Sequence, residues 1–311
     1  MTEYQSSTTD IIARLGVRLN ANIHVLKPLS SRQGMSFQVT VDDKPMLLKF
    51  VTAVGDDPSV VRRIRALQRE AEIVEHLYGA ISGNVICGQL DSTVWLLRKW
   101  INGVTVWQHC VYMREEPLRL DYKYSFIVDL IQMLEQVMLL DEAGYLHGDL
   151  QPNHFVVDQE GSFHLIDLEL AVCKDASETE YGGALVHFVS PETATGMLSD
   201  NQHIALDILS EIYSFGAVAF FLYTGKTAHA YGETLDGNEM AEISKEEKLQ
   251  AIVQGRIRSF AHTDAVAFPE LEQILHWCLQ IDRSQRCASF IALFTALKDL
   301  KHTLQVHDSS V

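Results

Sequence analysis

The sequence predicts an α+β protein with a small, mainly β N-terminal lobe and a larger helical C-terminal lobe. The chain has 311 residues, 47% apolar and 21% charged, which suits one large domain or two lobes. Runs of β-forming residues dominate the first 100 residues, and helical spacing dominates the rest. The pattern changes near Asn102-Gly103. We therefore predict an N-lobe at 1–98, a hinge at 99–103 and a C-lobe at 104–311.

The N-lobe pattern consists of strands and one long helix. Asp42, Asp43, Lys44 and Pro45 supply turn residues between two of the strands, which predicts a hairpin. The helix places its apolar side chains on one stripe and runs into Tyr78-Gly79, a helix stop. The predicted strands cover 23–29, 37–41, 46–51, 85–90 and 94–100, and the helix covers 59–77.

The C-lobe pattern is a set of helices around one very apolar helix. An amphipathic helix is predicted to end at Gly144, and a hairpin of two short strands follows it. The helix at 207–224 is almost wholly apolar, which predicts the buried centre of this lobe. The other predicted elements are helices at 122–142, 240–254, 269–280 and 287–302, and strands at 155–157 and 164–166.

Composition excludes several classes of function. The formal net charge of −16 argues against nucleic-acid binding, which needs a basic surface. The longest apolar stretch, 215–223, is too short to cross a bilayer, and residues 1–10 are polar, so no membrane insertion is expected. The five cysteines contain no Cys-x-x-Cys pair, which predicts neither a disulfide framework nor a zinc site and suits the cytoplasm.

Two aspartates on neighbouring loops carry the strongest chemical signal. The segment His147-Gly148-Asp149-Leu150-Gln151-Pro152-Asn153-His154 precedes the short hairpin, and Leu165-Ile166-Asp167-Leu168-Glu169 ends it. Phosphoryl transfer needs one carboxylate to orient the acceptor hydroxyl and another to hold a metal ion against the phosphates. Asp149, Asp167 and the further ligand His154 suit those roles. Either aspartate alone has a competing structural interpretation as the cap of a turn.

These segments resemble the eukaryotic-like protein kinases, and the resemblance covers about 23–300. The segment at Asp149 looks like the family's His-Arg-Asp-x-x-x-x-Asn catalytic loop, and Asp167-Leu168-Glu169 stands where Asp-Phe-Gly is expected. Lys49, at the end of the third strand, matches the phosphate-binding lysine. Glu70 is its expected partner, with Glu72 as a rival on another helix face.

Later elements follow the same order. Ser190-Pro191-Glu192 looks like the Ala-Pro-Glu that closes the activation segment, and 211–216 resembles the Asp-x-Trp-Ser-x-Gly helix start. Arg286 stands where the family's arginine pairs with the glutamate of that segment, so we expect a buried ion pair between Glu192 and Arg286.

The nucleotide-binding and catalytic loops depart from the family pattern. The phosphate-covering loop keeps one glycine, Gly34, so Ser31, Arg32 and Ser36 are expected to help its backbone bind phosphate. Gly148 replaces an arginine that clamps a phosphorylated activation loop. This predicts an enzyme that is not switched by phosphate at Ser177, Thr179 or Tyr181. Gln151 replaces a lysine, which removes a cation from the transferring phosphoryl group.

The metal ligands are the most divergent part. His154 replaces an asparagine, and Glu169 replaces the last glycine of Asp-Phe-Gly, which gives His154, Asp167 and Glu169 as candidate ligands. Mg²⁺ prefers oxygen ligands and keeps its waters, so an imidazole ligand favours Mn²⁺.

The resemblance implies a cytoplasmic serine/threonine-type kinase that moves the γ-phosphoryl group of ATP, with Mg²⁺ or Mn²⁺, to a hydroxyl of a protein or peptide. Asp149, Lys49 and Glu70 are the expected catalytic residues, and backbone groups of Lys99 and Ile101 are expected to bind adenine. Three alternatives stay open. They are a small-molecule or natural-product kinase of the aminoglycoside-phosphotransferase type, a pseudokinase that acts as a binding module, and transfer of another group such as AMP.

Overall fold

The computed structural model describes residues 2–29, 35–53, 57–78, 85–115, 120–174, 184–199, 204, 206–231 and 243–308. The chain divides into two compact units, Met1–Asn102 and Gly103–Val311. The first contains an antiparallel sheet and the second is mainly helical, which confirms the predicted α+β class. The boundary between the units falls within 99–103, whose role as a hinge stays a prediction.

The N-terminal unit is a five-stranded antiparallel sheet with two helices. Its strands pair in the order β1-β2-β3-β5-β4. The elements are α1 (Thr2–Leu19), β1 (Ile23–Leu29), β2 (Met35–Val41), β3 (Lys44–Thr52), α2 (Pro58–Tyr78), β4 (Val85–Leu90) and β5 (Thr93–Lys99).

Both faces of this sheet are covered by a helix. Ile12 and Leu15 of α1 pack on Leu48 and other side chains of one face, and Leu67 of α2 packs on Val51 and its neighbours on the other. Successive side chains of β3 point to opposite faces, so both sets become buried. This explains why 46–51 is almost continuously apolar instead of alternating.

Two details of the N-lobe prediction were wrong. The prediction of one helix missed α1, whose apolar side chains at Ile12, Leu15 and Leu19 are too few to stand out in a polar stretch. The turn is also shorter than predicted, because Lys44 and Pro45 belong to β3. Asp42 and Asp43 alone make the turn, with φ angles of 48° and 66°, and such backbone matches the twist of a hairpin.

The C-terminal unit consists mainly of helices with short strands among them. Its strands form two small sheets, β6-β8-β9 and β10-β7. The elements are β6 (Gly103–Thr105), α3 (Val106–His109), α4 (Tyr112–Glu115), α5 (Leu120–Glu142), β7 (Tyr145–Leu146), β8 (Phe155–Asp158), β9 (Phe163–Leu165), β10 (Val172–Cys173), α6 (Pro191–Leu198), α7 (Ile208–Thr224), α8 (Lys245–Val253), α9 (Pro269–Cys278) and α10 (Phe290–Asp308).

Helix α7 is the buried centre of this unit, as its composition predicts. Asp207 and Ser210 form a capping box at its start, and Gly225, with φ of 71°, ends it. Most of its side chains are buried. Glu211 of α7 accepts backbone N–H groups of the loop after β7, which holds Asp149, so this loop is bonded to the buried helix. Among the described helices, none is both long and apolar enough to span a membrane.

Candidate functional site

In the N-terminal unit, a buried lysine on β3 pairs with a glutamate on α2. Lys49 Nζ donates to Glu70 Oε2 at 2.7 Å, and the exposed fractions of the two side chains are 9% and 0%. Leu67 and Ala71 flank Glu70 on the buried stripe of α2, whereas Glu72, the rival partner, is exposed. The expected contact between Lys49 and Glu70 is therefore present, while its role in catalysis stays a prediction.

The strand register places a hydroxyl beside this pair. Ser36 on β2 lies opposite Lys49 on β3, so both side chains emerge on the same face of the sheet. Ser36 is buried, and nothing in the described part of the chain hydrogen-bonds its Oγ. Buried polar groups are normally hydrogen-bonded, and an anionic ligand can accept a hydrogen bond from the hydroxyl of Ser36. Ser31, Arg32 and Gly34, which are predicted to bind phosphate with Ser36, lie outside the described residues.

The residues that are predicted to bind adenine begin where β5 ends. Lys99 is exposed and Ile101 is half-buried. Between them, the N–H of Trp100 donates to the carbonyl oxygen of Pro45 at 3.1 Å, so this amide is used within the N-terminal unit. The prediction of adenine binding therefore rests on the backbone groups of Lys99 and Ile101.

In the C-terminal unit, His147 joins the two loops that carry the candidate carboxylates. Its Nε2 donates to the carbonyl oxygen of Ile166 at 3.0 Å, because a carbonyl can only accept. Its Nδ1 accepts from the N–H of Asp149 at 3.2 Å. Burial lowers the pKa of His147 to about 3, so the ring stays neutral and keeps one donor and one acceptor. The positions of Asp149 and of Asp167, which follows Ile166, are thereby linked.

The backbone before Asp149 is held by a buried glutamate of α7. Glu211 accepts the N–H groups of His147 and Gly148 at 3.0 and 2.8 Å. Burial raises the pKa of Glu211 to about 7, although these two donors favour the ionised form. Gly148 has φ of 76°, a conformation in which a side chain is strained. The sequence His-Gly-Asp therefore suits this backbone.

The activation-segment positions Ser177, Thr179 and Tyr181 lie outside the described residues, so the prediction about their phosphorylation stays a prediction.

The carboxylate of Asp149 accepts from a side-chain amide and from a backbone N–H group. Its Oδ2 accepts from the side-chain amide of Gln151 at 3.0 Å, and its Oδ1 accepts from the backbone N–H of Leu185 at 2.9 Å. Asp149 and Gln151 are both buried. A carboxylate has about four lone-pair positions, so further donors can still approach it. Gln151 thus supplies a neutral donor at the position where the resembled family has a cation.

The ring of His154 lies between the two candidate aspartates. Its Nδ1 hydrogen-bonds the carbonyl oxygen of Asp149 at 2.8 Å, and its Nε2 is 3.2 Å from Oδ2 of Asp167. Burial alone would lower the pKa of His154, but the hydrogen bond and charge of Asp167, together with Asp149, outweigh burial and raise it. The bond at Nδ1 fixes the ring so that Nε2 faces the carboxylate of Asp167.

The arrangement of His154 and Asp167 fits a divalent metal ion. Two ligands at right angles and about 2.1 Å from an ion are about 3 Å apart, which is close to the 3.2 Å between Nε2 and Oδ2. Asp167 also has a left-handed backbone, with φ of 65° and ψ of 62°, which is uncommon for a residue with a side chain and often marks a functional position. Glu169, the third candidate ligand, is buried two residues later.

A second ion pair between a glutamate and a cation lies in the C-terminal unit. Arg286 donates from NH1 and NH2 to the two carboxylate oxygens of Glu192 at 2.6 and 3.1 Å. The same guanidinium lies over the ring of Tyr213 at 4.9 Å from its centroid. The ion pair that the sequence predicts is therefore present, with Arg286 buried and Glu192 partly buried, and it fixes the start of α6 to the helical core.

Sequence reasoning missed two contacts near the candidate site residues. The N–H of Leu185 on Asp149 is a backbone contact, for which side-chain identity gives no signal. Arg98 NH1 lies 3.7 Å from Oε1 of Glu70, and the sequence shows it only as one cation at the end of a β-forming run.

No protein-family model matches the chain. It is 23% identical over 166 residues to a probable serine/threonine-protein kinase of Clostridium perfringens, a match that covers 52% of this chain and 22% of that protein. It is 23% identical over 301 residues to the dual specificity protein kinase TTK of Mus musculus, covering 87% of this chain and 31% of that protein. It is 24% identical over 178 residues to mitogen-activated protein kinase 13 of Homo sapiens, covering 52% and 47%.

The chain thus spans less than half the length of each of these three relatives. All three are protein kinases by name, and their similarity supports a relationship of this chain to the protein-kinase-like superfamily.

Proposed function

We propose that this chain is an ATP-dependent phosphotransferase that moves the γ-phosphoryl group of ATP to a hydroxyl of a protein or peptide. The observation that carries the proposal is the position of His154 between the two candidate aspartates, 2.8 Å from the carbonyl oxygen of Asp149 and 3.2 Å from the carboxylate of Asp167. Phosphoryl transfer needs such a pair of carboxylates, one for the acceptor and one for the metal. Similarity to protein kinases supports the same reaction class.

In this proposal Asp149 orients the acceptor hydroxyl. Gln151 and the N–H of Leu185 each hold one of its oxygens, so the carboxylate has a fixed orientation before the acceptor arrives. The acceptor hydroxyl donates to a remaining lone pair of Asp149, which aligns its oxygen for attack on the γ-phosphorus.

Asp167 and His154 hold the metal ion, with Glu169 as a further carboxylate. When bound, Mg²⁺ or Mn²⁺ neutralises the negative charge of the phosphates. The protein's part is to orient the ring of His154 so that Nε2 faces Asp167, which the bond from Nδ1 to the carbonyl oxygen of Asp149 achieves.

Nucleotide binding is assigned to the N-terminal unit. Lys49 binds the α- and β-phosphates, Glu70 keeps Lys49 in position, and the buried hydroxyl of Ser36 adds a donor on the same face. The loop residues Ser31, Arg32 and Gly34 complete the phosphate contacts, and the backbone of Lys99 and Ile101 binds adenine.

A protein or peptide acceptor is favoured over a small molecule by the segment that begins α6. The resembled small-molecule kinases usually lack a peptide-docking segment of the Ser190-Pro191-Glu192 type. Here Ser190 caps α6 by accepting the N–H of Thr193, and Glu192 is fixed by Arg286. These two contacts hold the backbone at the start of α6, which suits the docking of a peptide.

The test is transfer of labelled γ-phosphate by the full chain in Mg²⁺ and in Mn²⁺, with two acceptor panels, one of Ser/Thr/Tyr peptides and one of sugars and aminoglycosides. We expect label on peptides. Label on the small molecules alone would move the chain to the natural-product kinases, and mass spectrometry would reveal a transferred AMP instead. A folded chain whose melting temperature does not respond to ATP with either metal would contradict the proposal and indicate a pseudokinase.

A further inference from the structure

A second cation lies beside the Lys49–Glu70 pair of the N-terminal unit. Arg98 NH1 is 3.7 Å from Oε1 of Glu70, while Lys49 Nζ is 2.7 Å from Oε2 of the same carboxylate. In the register of β3 and β5, Arg98 lies opposite Leu47 and Lys49 lies opposite Leu96. Because paired residues and residues two apart point to the same face, both cations emerge on the face that α2 covers.

The three charged groups form a largely buried cluster. The exposed fractions are 9% for Lys49, 0% for Glu70 and 12% for Arg98. Both cations lie beside the same carboxylate, so the charge that one of them offsets on Glu70 changes how strongly Glu70 attracts the other.

The contacts of Glu70 are asymmetric. Oε2 accepts a short hydrogen bond from Lys49, but among the described residues no donor hydrogen-bonds the buried Oε1. At 3.7 Å, the guanidinium of Arg98 attracts Oε1 by charge and is too far for a hydrogen bond.

We propose that Arg98 is a positioning residue that shares Glu70 with Lys49. By attracting Oε1, Arg98 offsets part of the carboxylate's charge, so the ammonium of Lys49 is less completely neutralised and attracts phosphate more strongly. This inference rests on the proposed function, since it takes the phosphates of ATP as the anion that Lys49 binds. A merely structural Arg98 would fill space on the sheet without affecting nucleotide affinity through Glu70.

Replacement of Arg98 by residues of similar length separates these roles. Arg98→Met keeps the length but removes the charge, and Arg98→Lys restores a cation. We expect Arg98→Met to raise the dissociation constant and the KM for ATP about fivefold to tenfold while kcat changes less than about twofold, and Arg98→Lys to recover most of the affinity. Arg65→Met, an exposed arginine of α2, is the matched control and should bind ATP as the wild type does.

A double-mutant cycle with Glu70→Gln tests the route. If Arg98 acts through Glu70, Arg98→Met should change ATP affinity by less than about twofold in the Glu70→Gln background. An equal loss in both backgrounds, or no loss in either, would overturn the inference.

A second cycle separates this inference from the proposed function. It compares the melting temperatures, without nucleotide, of the wild type, Arg98→Met, Glu70→Gln and the double variant. We expect a non-additive cycle of melting temperatures, because the two side chains interact. Additive melting temperatures with normal ATP binding would overturn the role of Arg98 alone. A wild-type chain that binds no ATP would contradict the proposed function, and the inference would fall with it.

Discussion

Two glutamate–cation pairs, one in each unit, differ in how completely their polar atoms are bonded. In the C-terminal unit, Arg286 donates to both oxygens of Glu192 and also to the carbonyl oxygens of Leu209 and Gln280. In the N-terminal unit, Lys49 bonds Oε2 of Glu70, while Oε1 has no hydrogen bond from any described residue.

We interpret this difference as one between a structural pair and a pair with the proposed role in nucleotide binding. Four hydrogen bonds use four of the five N–H donors of Arg286, which leaves little capacity for a ligand, so Arg286 and Glu192 hold helices together. In the cluster at Glu70, a short hydrogen bond from Lys49 and a longer contact from Arg98 hold the carboxylate, which suits the proposed role of Lys49 in binding an anion. Removal of Arg286 and removal of Lys49 should therefore have different consequences for stability and for ATP binding.

The largest effect on stability is expected at Arg286. Arg286→Ala leaves the carboxylate of Glu192 without its bidentate partner, at a cost of about 3–5 kcal/mol in the free energy of unfolding. The matched control is Arg283→Ala, because Arg283 also lies near Glu192, at 3.8 Å, but is largely exposed and should cost less than about 1 kcal/mol. Equal melting temperatures for the two variants would show that Arg286 and Glu192 do not form the pair described.

Acid should destabilise the C-terminal unit. Burial lowers the pKa of His147 to about 3 and of His229 to about 4, so folding opposes protonation that the unfolded chain accepts near 6.5. Their contribution is present above pH 6.5 and is lost as pH falls towards 4. Burial raises the pKa of Glu211 to about 7, so folding favours the protonated carboxyl. The contribution of Glu211 to stability therefore has the opposite pH dependence: it is present below pH 4.5 and is lost as pH rises through 7.

Between pH 6 and 5, the unfolded chain binds about two more protons than the folded chain at the two histidines and about one fewer at Glu211. The net difference of about one proton lowers the free energy of unfolding by about 1.4 kcal/mol for each unit by which the pH falls. His187, whose pKa burial lowers to about 4, adds to this but is partly screened by solvent. His229→Gln should flatten a plot of unfolding free energy against pH by about 1.4 kcal/mol per unit, whereas the exposed His262→Gln should not. An unchanged slope in His229→Gln would mean that His229 does not resist protonation.

Removal of Lys49 should affect function more than stability. Lys49→Met should weaken ATP binding by about 10–100-fold, or about 1.4–2.7 kcal/mol, because the phosphates lose their cation. Arg98 stays 3.7 Å from Glu70, so the free energy of unfolding should fall by less than the roughly 3–5 kcal/mol expected for a buried charge that loses every partner. Lys44→Met, at an exposed position of the same strand, is the control for calorimetric titration with ATP. Unchanged ATP affinity in Lys49→Met would remove Lys49 from the nucleotide site.

The smallest effect is expected for metal preference. If Nε2 of His154 is a ligand, the wild-type chain should be more active in Mn²⁺ than in Mg²⁺, and His154→Asn should shift the ratio of the two rates about fivefold towards Mg²⁺. Equal ratios in the two proteins would mean that His154 only orients Asp167 and the loop, with the carboxylates as ligands.

Side-chain patterns predicted most of the fold and the main charged pairs. The 3.6-residue period of α2 placed Glu70 and Glu72 on different faces, and burial of Glu70 follows from that period. The apolar composition of 207–224 was enough to predict the buried helix α7. Both signals depend on many residues acting together, so they survive local irregularities.

Contacts that depend on backbone groups or on one long side chain could not be predicted. The N–H of Leu185 on Asp149 would be made by any residue other than proline at that position. The sequence shows Gly148 in place of an arginine, but its φ of 76° is visible only in the folded loop. Arg98 meets Glu70 because the register of β5 and the packing of α2 bring them together.

The most direct test of the central claim compares the wild-type chain with Asp149→Asn in transfer of labelled γ-phosphate from ATP and in calorimetric binding of ATP. We expect Asp149→Asn to lower turnover by at least about 100-fold while ATP affinity changes less than about tenfold, roughly 1.4 kcal/mol. Asp264→Asn, at an exposed carboxylate, should match the wild type. Near-normal turnover in Asp149→Asn would contradict the assignment of Asp149 to the acceptor hydroxyl, and with it the account of this site as a phosphotransfer centre.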